Sequence, residues 1–210
     1  VDDDRVELSN LHRQVLFEAD HVGQSKAQCA AARIAHEART QGHTHVHAVA
    51  REMRVRPENA RALVQGFDVV VEGSDNFATK FLLADACALE RVPCVQAGAV
   101  RWMGWVLASI PGESACLRCV FEDIPSAPGE GCAEAGVLGP VVGVIGALQS
   151  RLALRLLLGD TSAASVLHHY RALPGSLRSS RVARARACRL CAGEIRNLDT
   201  ANYLPRECAA

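Results

Sequence analysis

Charged and amide side chains are concentrated in the first 26 residues of the chain, at a spacing that suits a nucleotide. Asp2 opens an acidic run, and it is followed by Asn10, Arg13, Gln14 and Lys26. A carboxylate at a strand end accepts hydrogen bonds from a ribose, and cationic and amide side chains bind phosphates. We therefore predict that Asp2 contacts a ribose and that the other four residues bind the rest of a nucleotide. The alternative is a surface loop whose charges are solvated.

Four cysteines form two widely separated C-x-x-C pairs, Cys116 with Cys119 and Cys188 with Cys191. Four thiolates suit a closed tetrahedral zinc site, which has no open position for catalysis. The alternative is a thioredoxin-like redox pair, but that motif needs a single C-x-x-C near the start of a βαβ unit. The two pairs favour a structural Zn²⁺ that fastens the C-terminal tail to the rest of the chain.

Composition narrows the possible partners and the compartment. The formal net charge is zero, so nothing in the overall balance favours nucleic acid or an anionic membrane. Nine cysteines without a signal-peptide pattern indicate the reducing cytoplasm. Only two of the 23 basic residues are lysines, Lys26 and Lys80. Lys80 follows Asp75 on a predicted helix, and of its two possible environments, a ligand crevice or solvent, we favour solvent.

The elements that must position these side chains alternate between strand and helix. Such alternation predicts an α/β fold with a doubly wound, mostly parallel, Rossmann-like sheet, whose ligands bind beyond the carboxyl ends of the strands. We therefore expect Asp2, Ser74-Asp75-Asn76 and Gln96-Ala97-Gly98 to face one crevice. The pattern predicts helices over 26–41, from Pro57 and over 77–90, and strands over 44–49, 67–73 and 92–98.

Two later segments add to this core. From Val100 to Ile110 the side chains alternate, which predicts an antiparallel extension, and similar runs lie near 165–173 and 177–183. The apolar run 135–148 is too short for a membrane span of about 20 residues and predicts a buried helix. Its four glycines form a smooth stripe, which we assign to close packing in the core or at a dimer interface.

Three motifs, in order along the chain, resemble the ThiF/MoeB/HesA family of adenylating enzymes, which is related to the adenylation domains of ubiquitin-activating enzymes. They are Asp2 to Gln14 with Lys26, then Ser74-Asp75-Asn76, then Cys132 to Pro140. The resemblance covers residues 1–192 and leaves 193–210 as a C-terminal tail. It implies a homodimer that uses ATP to adenylate the C-terminal glycine carboxylate of a ubiquitin-like sulfur-carrier protein.

The resemblance also implies roles for individual residues. Asp75, with Asn76 beside it, would hold the Mg²⁺ that bridges phosphate oxygens, and Arg13 and Lys26 would join it in catalysis. In thiamine-type relatives a cysteine at the position of Cys132 forms a sulfur linkage with the carrier. In molybdopterin-type relatives a cysteine in the same motif is not needed for adenylation. An inert thiol at Cys132 therefore remains the alternative. The expected cofactors are ATP, Mg²⁺ and Zn²⁺.

Two other functions stay open. No G-x-G-x-x-G turn precedes Asp2, so we expect an N-terminally incomplete adenylation domain, or else a catalytically incomplete fragment or binding module that docks a carrier or partner subunit. The hypothesis of a nicotinamide-dependent dehydrogenase is the weaker of the two, since it explains neither the run from Ser9 to Gln14 nor the cysteine pairs. His43, His45 and His47 alternate on a predicted strand, where we favour a solvated face over a metal site.

Overall fold

The computed structural model describes residues 1–122, 124 and 135–204 of the chain. The chain divides into two compact units, Val1–Val55 and Arg56–Ala210. The predicted nucleotide residues from Asp2 to Lys26 belong to the first unit, and Asp75 and the cysteine pairs belong to the second.

Helix α1, Lys26–Thr40, is the main element of the first unit. Ser25 begins it, because the Ser25 hydroxyl accepts a hydrogen bond from the backbone N–H of Gln28 at 3.3 Å. Gly42 follows its end with a φ of 77°, a conformation that suits glycine at a helix C-terminus. The helix predicted over 26–41 is confirmed, since α1 ends only one residue earlier, at Thr40. Its residues Ala27, Cys29 and Ala38 are buried.

The strand predicted over 44–49 is wrong. Residues in this segment form turns and irregular structure, and no described strand pairs with them. Alternation alone does not make a strand, because a ladder also needs a neighbouring strand. His43, His45 and His47 are exposed, so the solvated environment is confirmed although the strand face is absent. The rings of His43 and His45 pack edge to face with centroids 6.0 Å apart.

The described residues of the second unit form five strands and four α-helices. The sheet order is β1-β2-β3-β4-β5. The strands are β1 Val70–Glu72, β2 Cys94–Val100, β3 Met103–Ser109, β4 Val166–Arg171 and β5 Ser176–Arg181. The helices are α2 Pro57–Val64, α3 Phe77–Leu89, α4 Leu117–Phe121 and α5 Gly139–Leu157.

The sheet is mixed, and the prediction of a mostly parallel sheet is wrong for the described residues. Only β1 and β2 pair in parallel, with α3 as the crossover, and the pairs from β2 to β5 are antiparallel. After Val100 the chain reverses through Arg101 and Trp102 instead of crossing over by a helix. Such a short reversal permits only antiparallel pairing. The antiparallel extension is thus confirmed but makes up most of the described sheet.

Strand β1 is shorter and less buried than predicted. The expected strand covered 67–73, whereas β1 has three residues. Phe67 and Val71 are about half exposed, while Glu72 is only 1% exposed. In the described sheet β1 lies at one end of the strand order, so one of its edges has no neighbouring strand among the described residues.

Helix α5 packs across β2 and β3 and forms the core with them. Val141, Ile145 and Leu152 are buried against residues of these strands. The close approach depends on a glycine in the sheet, because a Cβ on Gly104 would lie 2.6 Å from Ile145 Cγ1. Close packing in the core is not seen for two of the α5 glycines, since a Cβ at Gly143 or Gly146 would meet no described residue within 4 Å.

The face of α5 that points away from the sheet carries exposed leucines together with the exposed Ser150 and Arg151. Leu154 and Leu157 are 60% and 51% exposed, so the prediction of a buried helix holds for one face only. Within the described part of the chain, α5 is the one helix whose length and composition would suit a membrane crossing. Core helices pass the same test, and the buried face of α5 lies on the sheet.

Candidate functional site

In the first unit, Lys26 is buried and already has an anionic partner. Its Nζ donates to Asp4 Oδ2 at 2.8 Å, and the Lys26 side chain is 8% exposed whereas that of Asp4 is 66% exposed. The backbone N–H of Lys26 also donates to the Asp4 carbonyl at 3.0 Å. Lys26 therefore lies at the start of α1 with one side of its ammonium held by a carboxylate.

Asn10 holds the side chain of Arg13, one of the predicted phosphate-binding residues. Its Nδ2 donates to Glu7 Oε2 at 3.1 Å, and its Oδ1 accepts from Arg13 Nη2 at 3.1 Å. Arg13 Nη1 also donates to the Ser9 carbonyl at 3.3 Å. Because Asn10 is 8% exposed and Arg13 is half-buried, Asn10 acts on the guanidinium and fixes its direction.

Asp2 and Gln14 complete the predicted residues of this unit. Asp2 Oδ1 accepts from the backbone N–H of Asp4 at 2.9 Å, which closes a local turn. The backbone N–H of Gln14 donates to the Asn10 carbonyl at 2.9 Å. Gln14 Oε1 is buried and has no hydrogen-bond partner among the described residues. A buried acceptor without a donor is uncommon in folded proteins.

In the second unit, the loop between β1 and α3 presents Asp75. Asn76 begins α3, because its Oδ1 accepts from the backbone N–H of Thr79 at 2.8 Å. The Asp75 side chain is exposed, and no described residue pairs with its carboxylate. Asp75 is therefore available to a cation, while Asn76 has a structural role that the sequence did not indicate.

Lys80 is buried, and the prediction of a solvated Lys80 is wrong. It is 5% exposed and donates to Glu72 Oε2 at 3.0 Å, to the Ser74 carbonyl at 2.6 Å and to the Ala97 carbonyl. Glu72 is 1% exposed. The contacts bring the ends of β1 and β2 together, as predicted for these two segments. Asp2 belongs to the other unit, so its place at the same crevice stays a prediction.

The four cysteines of the two pairs converge, as the spacing predicts. Their Sγ atoms all lie within 4.8 Å of one another. Cys116 Sγ is 3.7 Å from Cys119 Sγ, 3.5 Å from Cys188 Sγ and 3.6 Å from Cys191 Sγ. Zn–S bonds of ~2.3 Å give tetrahedron edges of ~3.8 Å. The donor set therefore fits one tetrahedral ion.

The protonation of these thiols depends on burial and on backbone donors. Burial, with the neighbouring thiols second, raises the pKa of Cys116 well above its usual range. Burial also raises the pKa of Cys188 to about 11. Burial acts in the same direction on Cys119, but its hydrogen bonds, first that from the Ala185 N–H at 3.4 Å, outweigh burial and lower its pKa. Packed thiols of this kind need a cation to ionise together.

A second buried ion pair, which the sequence analysis missed, lies beside the cysteines. Arg118, between Cys116 and Cys119, donates from Nη2 and Nε to Asp85 at 2.8 and 2.9 Å. Tyr203 OH donates to Asp85 Oδ2 at 3.1 Å. Burial raises the pKa of Asp85, against the opposing effect of Arg118, and burial followed by the Asp85 charge raises the pKa of Tyr203. An arginine inside a C-x-x-C loop was the only signal.

The remaining predicted residue, Cys132, lies outside the described residues. Its proposed reactivity is therefore not tested by the structure.

The sequence model of the ThiF family matches residues 1–191 of the chain. The sulfur carrier protein ThiS adenylyltransferase of Escherichia coli (strain K12) is 35% identical over 193 residues, which are 91% of this chain and 74% of that protein. The sulfur carrier protein adenylyltransferase of Thermus thermophilus is 37% identical over 211 residues, which are 97% of this chain and 76% of that protein.

Other relatives are much longer than the matched region. The adenylyltransferase and sulfurtransferase MOCS3 of Drosophila sechellia is 38% identical over 161 residues, 76% of this chain but 34% of that protein. Among solved structures, E. coli MccB in complex with MccA-N7isoASN superposes with a TM-score of 0.75 at 18% identity. The match covers 90% of this chain and 58% of MccB, and it shows a shared fold.

Proposed function

The chain belongs to the ThiF family, and from this membership we propose that it adenylates the C-terminal glycine carboxylate of a ubiquitin-like sulfur-carrier protein with ATP. The observation that carries the proposal is the family match over residues 1–191, together with identities of 35% and 37% to two sulfur-carrier adenylyltransferases. The chain spans from about a third to three quarters of the curated relatives, so the activity is proposed for the protein that contains it.

In the proposed reaction, a carboxylate oxygen of the carrier attacks the α-phosphorus of ATP. The bond between the α-phosphorus and the bridging oxygen breaks, and pyrophosphate leaves with that electron pair. The products are a carrier acyl-adenylate and pyrophosphate. No proton has to be removed from the nucleophile, so the protein contributes mainly by holding the reactants in line and by neutralising charge.

The first unit supplies the cationic side chains for this reaction. Arg13 would contact the phosphates, and its hydrogen bond from Nη2 to Asn10 Oδ1 holds the guanidinium in direction. Lys26 has an ammonium that makes one ion pair, with Asp4, and would direct its remaining donors to phosphate oxygens. Asp2 would accept from the ribose hydroxyls, and the buried Gln14 Oε1 would accept from a further nucleotide donor.

The second unit supplies the residues for metal ions. Mg²⁺ binds one or two carboxylates together with substrate phosphates, and Asp75 offers an exposed carboxylate, with Asn76 next to it. The cysteine cluster would hold a structural Zn²⁺, which would link two distant parts of the chain; its ligands would be Cys116, Cys119, Cys188 and Cys191. The sulfur distances of 3.5 to 3.7 Å support this assignment.

Cys132 would act after adenylation if the chain serves a thiamine-type carrier. Its thiolate would attack the glycine carbonyl of the acyl-adenylate, the bond from that carbonyl to AMP would break, and AMP would leave as the sulfur linkage to the carrier forms. With a molybdopterin-type carrier, we propose that Cys132 is not required. Mass spectrometry of the protein trapped with its carrier separates the two cases, because only the first gives an adduct at Cys132.

We also propose that the protein works as a homodimer in the cytoplasm. The exposed Leu154 and Leu157 on α5 support an interface there, and the free thiols of the described cysteines fit a reducing compartment. Light scattering of the wild type and of Leu154→Glu tests the dimer. A monomeric wild type would contradict it.

The proposed activity is tested by ATP–pyrophosphate exchange with the full chain and several sulfur carriers. We expect exchange that requires the carrier and is lost when its terminal glycine is removed. Asp75→Asn should lower the exchange rate at least 100-fold, because the metal loses an anionic ligand. The control is Asp68→Asn, an exposed carboxylate before β1, which should stay within twofold. ATP binding without exchange, whichever carrier is added, would support a binding module instead.

A further inference from the structure

The ammonium group of Lys80 has a complete set of acceptors. Its three N–H groups face three oxygens, Glu72 Oε2 at 3.0 Å, the Ser74 carbonyl at 2.6 Å and the Ala97 carbonyl. An ammonium has three donors and no acceptor, so these bonds leave none for a substrate. Lys80 is therefore unsuited to direct contact with phosphate, although it lies next to the loop that carries Asp75.

Glu72 uses its second oxygen on the same loop. Its Oε1 accepts from the Ser74 backbone N–H at 2.6 Å and from the Ser74 hydroxyl. Together with the bond from Lys80 to the Ser74 carbonyl, this fixes Ser74 at its N–H, its hydroxyl and its carbonyl. On the other side of Asp75, Asn76 is fixed by its bond to the Thr79 N–H. Asp75 is thus an exposed residue between two fixed neighbours.

The same pair also connects the loop to β2. The Lys80 carbonyl accepts from Gln96 Nε2 at 2.8 Å, and Lys80 Nζ donates to the Ala97 carbonyl. The side chains of Glu72 and Lys80 are 0% and 6% exposed, so solvent cannot replace these bonds. Removing one charge of such a pair leaves the other buried and uncompensated. The observed arrangement of the loop pairs both of these charges with hydrogen-bond partners.

We propose that Lys80 and Glu72 are positioning residues for Asp75, which set the direction of its carboxylate for a divalent cation bound to a nucleotide. The inference rests on the proposed function, because it takes Asp75 as the ligand of the metal that accompanies ATP. Neither residue touches the metal or the substrate. They act through the backbone of Ser74, and their loss should weaken metal-dependent nucleotide binding more than it weakens the fold.

The test compares Lys80→Met with Arg118→Met in the full chain. Both variants remove the cation of a buried ion pair that includes a residue of β1 or α3, but Arg118 contacts Asp85 and not the Asp75 loop. The measurement is the dissociation constant of ATP by calorimetry, with excess Mg²⁺ and with a chelator. The dissociation constant with the chelator divided by that with Mg²⁺ measures how much the metal tightens ATP binding. The melting temperature measures the stability of the fold.

For the wild type we expect Mg²⁺ to tighten ATP binding at least tenfold. In Lys80→Met and Asp75→Asn, Mg²⁺ should tighten ATP binding much less than in the wild type. Arg118→Met should lower the melting temperature and keep the ratio of the two dissociation constants within twofold of the wild-type ratio. If Lys80→Met does not fold, Glu72→Gln/Lys80→Met removes both charges, and it should still lose the ratio because the Ser74 carbonyl remains unbound.

Two results would overturn the inference. One is a Lys80 variant that keeps the metal ratio while losing stability, which would mean that the pair has only a structural role. The other is a wild type whose ATP binding is not tightened by Mg²⁺, or an Asp75→Asn variant whose ATP binding is tightened by Mg²⁺ as much as that of the wild type. The proposed reaction fails separately, since it fails when ATP binds with the expected metal ratio but no carrier gives exchange.

Discussion

Among the described residues of the second unit, two ion pairs are buried, and they have different neighbours. Glu72 and Lys80 bond to the loop that presents Asp75. Asp85 and Arg118 lie beside the four cysteines, and Asp85 also accepts a hydrogen bond from Tyr203. Both pairs involve α3, the crossover helix of the parallel strands. One helix therefore connects a region proposed to bind metal and nucleotide with a region proposed to hold a structural metal.

The largest effect should follow removal of the structural metal. Structural zinc sites contribute about 10 kcal/mol or more to folding in small domains. We expect one Zn²⁺ per chain by elemental analysis, and a strong chelator or Cys188→Ser should lower the melting temperature by more than about 10 °C. The matched control is Cys29→Ser, a buried cysteine of the first unit outside the cluster. An unchanged melting temperature with the metal removed would contradict a structural role.

Breaking the pair beside the cysteines should have the next largest effect. Arg118→Met leaves Asp85 buried without its guanidinium, and the loss of one partner from a buried pair costs about 3–5 kcal/mol. Urea denaturation of the two proteins with zinc bound measures this loss. If the variant were as stable as the wild type, Arg118 would contribute nothing that a methionine cannot replace.

Asp85 should also make stability depend on pH. Because burial raises its pKa in the folded state, the folded protein binds this proton more readily than the unfolded chain does. The wild type should therefore lose stability relative to Asp85→Asn as the pH rises above about 4, the ordinary pKa of an aspartate. Denaturation of both proteins at several pH values measures the two free energies of unfolding, and a wild type that gains stability relative to Asp85→Asn as the pH rises would contradict the prediction.

The smallest effect is expected at Tyr203. Its hydroxyl makes one hydrogen bond, to Asp85, and such a bond contributes about 1–2 kcal/mol. Tyr203→Phe should lower the free energy of unfolding by this amount and leave the response of ATP binding to Mg²⁺ unchanged. A change in that response would show that the two ion pairs are not independent.

Local signals were sufficient to predict several parts of the fold. Ser25 and Gly42 flank α1, Pro57 begins α2, and the alternation after Val100 corresponds to β3. The two C-x-x-C pairs predicted the cysteine cluster, because metal ligands with this spacing are characteristic even when the pairs lie far apart in sequence.

Other features depend on contacts that no local pattern shows. Lys80 is buried because two carbonyls and a carboxylate from separate segments converge on it. Arg118 and Asp85 pair across a long sequence separation. The alternating segment 44–49 lacks a strand partner among the described residues, and the sequence does not show whether a partner is present.

Intact-mass spectrometry of a sulfur carrier after incubation with ATP, Mg²⁺ and the full chain detects the proposed adenylation itself. We expect the carrier to gain one adenylyl group at its terminal glycine, and we expect Asp75→Asn to abolish this gain. Sulfur carriers that all keep their original mass, with a protein shown to be folded and to bind ATP, would contradict it.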